Sequence, residues 1–139
     1  MVMSLGFWFS KQLEAQNDQT SSWRVPEEKA AVNNPVSLEE KSIVAGKAVY
    51  VRECLSCHGS AGRGDGPQAK DLDRNVPDLT DTTRMSRQSD GELFYKLTVG
   101  KKPMPGYKKT LTDEERWQVI NYMRSLSSYS KTSGDANKK

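Results

Sequence analysis

Apolar residues recur at helical spacing in three separate stretches of this 139-residue chain, and each stretch opens on the same polar signal. Ser37-x-x-Glu40, Ser89-x-x-Glu92 and Thr112-x-x-Glu115 all fit a capping box, in which hydroxyl and carboxylate satisfy backbone amides reciprocally at a helix start. The first predicted helix runs from about Leu38 to Cys54, with Ile43, Gly46, Tyr50, Cys54 and Cys57 on one inward stripe. The second spans about Asp90 to Val99, with Leu93, Phe94 and Leu97 on one face and Gly100 as the stop. The third covers about Asp113 to Ser127, with Val119, Tyr122, Met123 and Leu126 inward. No alternating strand pattern occurs. The expectation is an all-α domain over residues 37–128.

The polar remainder is harder to place. Residues 1–36 mix Asn, Gln, Ser and Glu with Pro26 and Pro35, and read as an extended or disordered N-terminal arm. Its first residues, MVMSLGFWFSKQ, form a brief apolar run without a basic lead, a poor signal peptide that leaves a trimmed leader, an anchor or a disordered end open. Residues 129–139 have the composition of a disordered tail. Between the first two helices, residues 59–88 form a connection rich in Gly, Pro, Asp and Arg. A loop that long inside a compact domain needs something to hold it. Hydrophobic residues make up only 35% of the chain, so a buried prosthetic group would serve both as filler and as anchor.

Net charge is +3, from 21 basic and 18 acidic side chains, too mild a balance to argue for nucleic acid as partner. No stretch approaches the 18 or so apolar residues of a membrane span, so membrane association would come only through the N-terminus or a partner.

Cysteine and histidine change the picture. Both cysteines and the sole histidine lie within Cys54-Leu55-Ser56-Cys57-His58. Cys-x-x-Cys-His is the haem c attachment sequence. The two sulfurs bond to the haem and the adjacent His58 is aimed at the iron. A structural zinc site needs four ligands, and this cluster offers three. Thioredoxin-like chemistry calls for a βαβ setting, which the pattern lacks. With no second histidine, no imidazole is left over for acid–base catalysis. Arg63-Gly64-Asp65 is a short adhesion-like match of the kind that arises by accident.

The sixth iron ligand separates a carrier from an enzyme or sensor. Met1 and Met3 lie in the arm, Met85 in the polar connection, and Met123 on the inward stripe of the third helix. Met104 stands in KKPMPGY, flanked by Pro103 and Pro105. The prolines fix their own φ angles and push Lys102 and Met104 toward extended geometry, giving a stiff loop that presents sulfur. Lys101, Lys102, Lys108 and Lys109 bracket it, with no acid from Gly100 to Thr110. Such a collar would steer an acidic face of a redox partner onto the haem edge.

These residues resemble the class I (mitochondrial-type) monohaem cytochrome c family of bacteria over about residues 40–127. The likeness rests on Gly46 and Tyr50 before CLSCHG, PDLTD at 77–81, DGELFYKLTVGKKPMPGY at 90–107 and WQVINYMRSL at 117–126. The resemblance implies three principal helices with long loops around one covalent haem c, held by Cys54 and Cys57, with His58 and Met104 as axial ligands. It implies that the first and last helices cross closely at Gly46 and Tyr50 against Tyr122. It also makes the Pro77 carbonyl the acceptor for the second ring N–H of His58. Arg74, Arg84 and Tyr107 are candidate donors to haem propionates. The expected role is a single-electron carrier, not an enzyme, in the periplasm or otherwise outside the cytoplasm, with no small-molecule substrate. The alternatives are a dedicated subunit of a larger oxidoreductase, or a haem enzyme or gas sensor with a labile Met104.

Overall fold

A computed structural model describes residues 23–135, with side chains through residue 128. The apolar start of the arm and residues 136–139 lie outside the described residues. Among the described residues six helices follow in order: α1 (Glu27–Ala30), α2 (Glu40–Glu53), α3 (Leu55–His58), α4 (Thr82–Ser86), α5 (Asp90–Val99) and α6 (Asp113–Asp135), with a 3-10 turn at Ala69–Asp71. Among the described residues no strand is present beyond one isolated bridge between Lys101 and Met104. The three helices read from the sequence are α2, α5 and α6, and the fold is all-α.

The boundaries of α5 match the expectation, with Ser89 and Glu92 exchanging their capping bonds and Gly100 closing the helix at φ 66°. Thr112 and Glu115 do the same for α6. At α2 the device is displaced. Glu39, not Ser37, takes the N-cap position, and its backbone N–H donates to the Ser42 hydroxyl at 3.2 Å. The reason lies in packing: Ser42 is buried, donates to the Ser37 carbonyl and accepts from Asn121 of α6, so Ser37 contributes its carbonyl instead. At the other end, α6 continues past Ser127 to Asp135, into the segment whose composition reads as a tail.

The core forms where α2 crosses α6. A Cβ at Gly46 would overlap the Gln118 carbonyl, so the two backbones touch there and only glycine fits. Tyr50 and Tyr122 pack beside the crossing, ring centroids 5.1 Å apart at 60°. Val119 and Ile120 are wholly buried around them. α5 closes the other side of α6 through Phe94 stacked on Trp117 at 3.9 Å, with the Arg116 guanidinium over the Phe94 ring. Arg124 staples α4 and α5 to α6, donating to the Asp90 carboxylate and to the Met85 and Gln88 carbonyls. Met85 is a core residue at 1% exposure, although its neighbours in sequence are polar.

Residues 23–36 also differ from a free arm. α1 lies on the start of α5, where a Cβ at Gly91 would overlap the Lys29 carbonyl, and Ser89 Oγ donates to the Ala30 carbonyl at 2.6 Å. Asn34 donates to Asn121, whose own amide donates to the Val36 and Ser37 carbonyls. The reach of these contacts across more than fifty residues of sequence explains why local composition missed them.

Replacing Gly46 with alanine is expected to force α2 and α6 apart and to destabilise the fold by about 3 kcal/mol, the upper end for overpacking. Denaturant unfolding followed by circular dichroism measures it.

Candidate functional site

The site begins where α2 ends. Cys54 closes α2 by donating its backbone N–H to the Tyr50 carbonyl at 2.8 Å, and α3 adds one further turn. Within that turn the His58 amide bonds the Cys54 carbonyl at 2.9 Å. Positions 54, 57 and 58 stand at i, i+3 and i+4, so two thiols and one imidazole share one flank of a single helical turn.

Both thiols are unpaired. Burial pushes the Cys54 thiol up to about 12, with the Glu53 carboxylate adding in the same direction. It is a neutral thiol at physiological pH, poorly suited to thiolate redox chemistry. Among the described residues no three His, Cys, Asp or Glu side chains converge where a metal ion could sit, so the zinc reading lacks its ligand set. Burial also pulls His58 below the ordinary histidine value, opposed by the Pro77 backbone carbonyl. The imidazole is thus held in the neutral form that ligates iron. Its Nδ1 is buried and does not meet strict hydrogen-bond geometry with any group, Pro77 included. The Pro77 carbonyl faces the ring without a closed bond.

The long connection wraps this turn. Gly59, Gly62 and Gly64 take positive φ of 82°, 80° and 76°, which reverses the chain directly after His58. The amides of Gly64, Gly66 and Gln68 then bond back to the carbonyls of His58, Cys57 and Ser56. The loop is therefore sewn onto α3 by its own backbone, beyond what the sequence reading required of a prosthetic group.

Met104 sits in a closed turn rather than an extended run. Lys101 and Met104 exchange both backbone hydrogen bonds at 2.9 Å, across a cis Lys102–Pro103 bond. Gly100 and Gly106 meet at the base, where a Cβ on Gly100 would overlap the Gly106 amide. Met104 is half-buried and packs on the core cluster. A groove of about 530 Å³ opens between this loop and the long connection, lined by Asp73, Arg74, Lys102 and Pro103. That size lies within the range of small-molecule and cofactor sites. Of the three proposed propionate donors, Arg74 lines the groove. Tyr107 does not offer its phenol: the hydroxyl donates to the Glu53 carbonyl at 3.0 Å. Arg84 stands exposed on α4.

Sequence reading missed two contacts that frame the motif. Tyr107 bonds the carbonyl just before Cys54, and Tyr50 donates to the Gly59 carbonyl, just after His58, at 2.6 Å. Aromatic residues at these positions carry no signal of which carbonyl they will meet. A buried neutral Cys54 thiol, the free Cys57 thiol and an orphaned buried imidazole nitrogen, all on the same turn, together fit a covalently held haem.

Residues 41–123, more than half the chain, match the family described as "Cytochrome C oxidase, cbb3-type, subunit III". The chain belongs to this family of c-type cytochromes, whose members carry electrons on a covalently bound haem c. Among solved structures, a chain of the reducing HAO-like protein complex Kustc0457/Kustc0458 of Kuenenia stuttgartiensis is similar, at 32% identity and a TM-score of 0.58. The match covers 75% of this chain and 52% of that one, so this chain spans about half the length of that relative. No curated protein matches.

Burial lifts the Tyr50 phenol well above its ordinary value of 10.0. The folded form therefore resists ionisation that the unfolded chain accepts. This contribution is fully present below pH 10 and is lost as pH rises toward the folded value. Above pH 10 the slope attributable to Tyr50 is about 1.4 kcal/mol per pH unit. Denaturant unfolding of wild type and Tyr50→Phe at several pH values between neutrality and strong alkali should show a slope smaller by that amount in the variant, the raised Tyr107 and Tyr122 phenols supplying what remains.

Proposed function

We propose that this protein is a class I, single-haem electron carrier in which Cys54 and Cys57 hold haem c covalently and His58 and Met104 are the axial ligands. The observation that carries the reading is the single turn bearing both free thiols and the neutral imidazole, with the Met104 loop anchored to the residue before it. Haem bound there supplies a one-electron ferric/ferrous couple. The chain's residues do the rest. The thiols fix the group in place, and the Pro77 carbonyl is the acceptor that orients the second ring nitrogen of His58. With haem bound, the Met104 thioether would favour the ferrous state and leave no ligand position open to a substrate. No small-molecule substrate is invoked.

Lys101, Lys102, Lys108 and Lys109 are all exposed around the Met104 loop. They form the surface proposed to meet an acidic face on a redox partner protein. Covalent haem attachment takes place outside the cytoplasm in the bacterial families this chain resembles, which supports a periplasmic or other extracytoplasmic location. A second form of the same reading is a dedicated subunit of a larger oxidoreductase. It is favoured by the subunit description of the matched family and by the similar chain's membership of a protein complex.

Met104→Ala is expected to abolish the sulfur-to-iron charge-transfer band of the oxidised protein and to open the reduced protein to carbon monoxide. The reduction potential should fall by an appreciable part of the roughly 0.8 V that axial ligands span. Absorption spectra and redox titration decide it; unchanged spectra would remove Met104 from the iron. A wild-type ferrous form that binds carbon monoxide readily would favour the enzyme or sensor alternative. Stopped-flow electron transfer with an acidic partner should slow steeply as salt rises, since exposed charges are screened over about 8–10 Å at physiological ionic strength. Rates indifferent to salt would remove the lysine surface from docking.

A further inference from the structure

The Cys54–His58 turn is bracketed by two phenols, and one of them belongs to the loop that carries Met104. Tyr107 lies three residues beyond Met104, is 7% exposed, and donates to the Glu53 carbonyl at 3.0 Å. Glu53 is the last residue of α2, so its carbonyl is one of those a helix end leaves without an intrahelical partner. The loop is internally closed by the paired Lys101 and Met104 and pinched at Gly100 and Gly106. It therefore moves as one body, and its placement is decided at its base. On one side the Tyr107 and Lys108 amides tie that base to the Leu97 and Thr98 carbonyls of α5. On the other side, among the described residues, the Tyr107 phenol makes the one hydrogen bond that joins residues 100–110 to residues 53–59.

We propose that Tyr107 is a positioning residue for the sulfur ligand: its phenol, donating to the Glu53 carbonyl, holds the Met104 loop at a fixed distance from the turn that bears Cys54, Cys57 and His58. The inference deepens the reading of Met104 as axial ligand and rests on it. Without the phenol proton the loop keeps its internal bonds and its attachment to α5, but loses its reference to the motif. The Glu53 carbonyl is left without that partner. The Met104 sulfur would then hold a bound iron less firmly.

The test uses the holoprotein and imidazole as a competing ligand for the oxidised iron. Tyr107→Phe preserves the buried ring and removes one oxygen. It is expected to tighten apparent imidazole binding about tenfold, the effect of one unsatisfied buried hydrogen-bonding group, and to weaken the sulfur-to-iron band. Asn34→Ala controls for general loss of stability, because among the described residues Asn34 bonds Asn121, the Trp117 carbonyl and the Val36 amide, all away from the loop. It should lower the unfolding midpoint while leaving imidazole affinity within twofold of wild type. Tyr107→Phe affinity within twofold of wild type, or an equal gain in Asn34→Ala, would overturn the proposal. Met104→Ala separates the two levels. If it leaves imidazole binding and the band unchanged, the ligand reading fails and this inference falls with it. If it opens the iron while Tyr107→Phe does not, the role of Tyr107 alone is refuted.

Discussion

The contact between the backbones of α2 and α6 at Gly46 sets the geometry of everything around the motif. Because α6 lies directly on α2 there, Tyr50 one turn further along can reach past the helix end, with its ring against Tyr122. Its hydroxyl then meets the Gly59 carbonyl, so a close approach of two helices becomes a constraint on the residue that follows His58. The same crossing places Asn121 against Ser42, which shifts the start of α2 and ties the entering chain to α6. One missing methyl group thus governs both ends of the first long helix.

Electrostatics follows burial here more than pairing. Cys54, His58 and Tyr50 each shift chiefly because they are withdrawn from water, and each shift favours the uncharged form. A site of neutral groups is compatible with holding a prosthetic group without adding a charge that would have to be compensated in a low-dielectric interior. Away from this site, the buried Arg116 bonds Asp113 and Thr98 and lies over Phe94, while its Nε has no partner among the described residues. That arrangement joins α5 to α6 and has no contact with the motif turn among its bonds.

Much of this was legible in the chain. Helical periodicity and capping residues place α5 to the residue, because its signals are local and uncontested. The Cys54–His58 spacing reads directly as a haem attachment turn. The α2 start was misplaced because Glu39 takes the N-cap position that Ser37 offers in sequence, and burial of Ser42 against Asn121 fixes that register. The burial of Met85 was not legible either: its neighbours in sequence are polar, yet Arg124 on a distant helix bonds its carbonyl and its side chain lies in the core. Pro103 and Pro105 did signal a rigid loop, but not its shape, a closed pair between Lys101 and Met104. The two phenol-to-carbonyl bonds left no trace in the pattern, since their acceptors are backbone atoms and any residue supplies those.

The docking of α1 on Gly91 has a bearing on where the molecule can be cut. The stretch shared with the family ends at residues 41 and 123, but Asn121 gives its amide protons to Val36 and Ser37 and accepts from Asn34, all upstream of that stretch. Excising the shared segment alone would strip Asn121 of its Asn34, Val36 and Ser37 partners and lay open the face of α5 at Gly91. The smallest autonomous piece of this protein is thus longer at its front than the segment its relatives have in common.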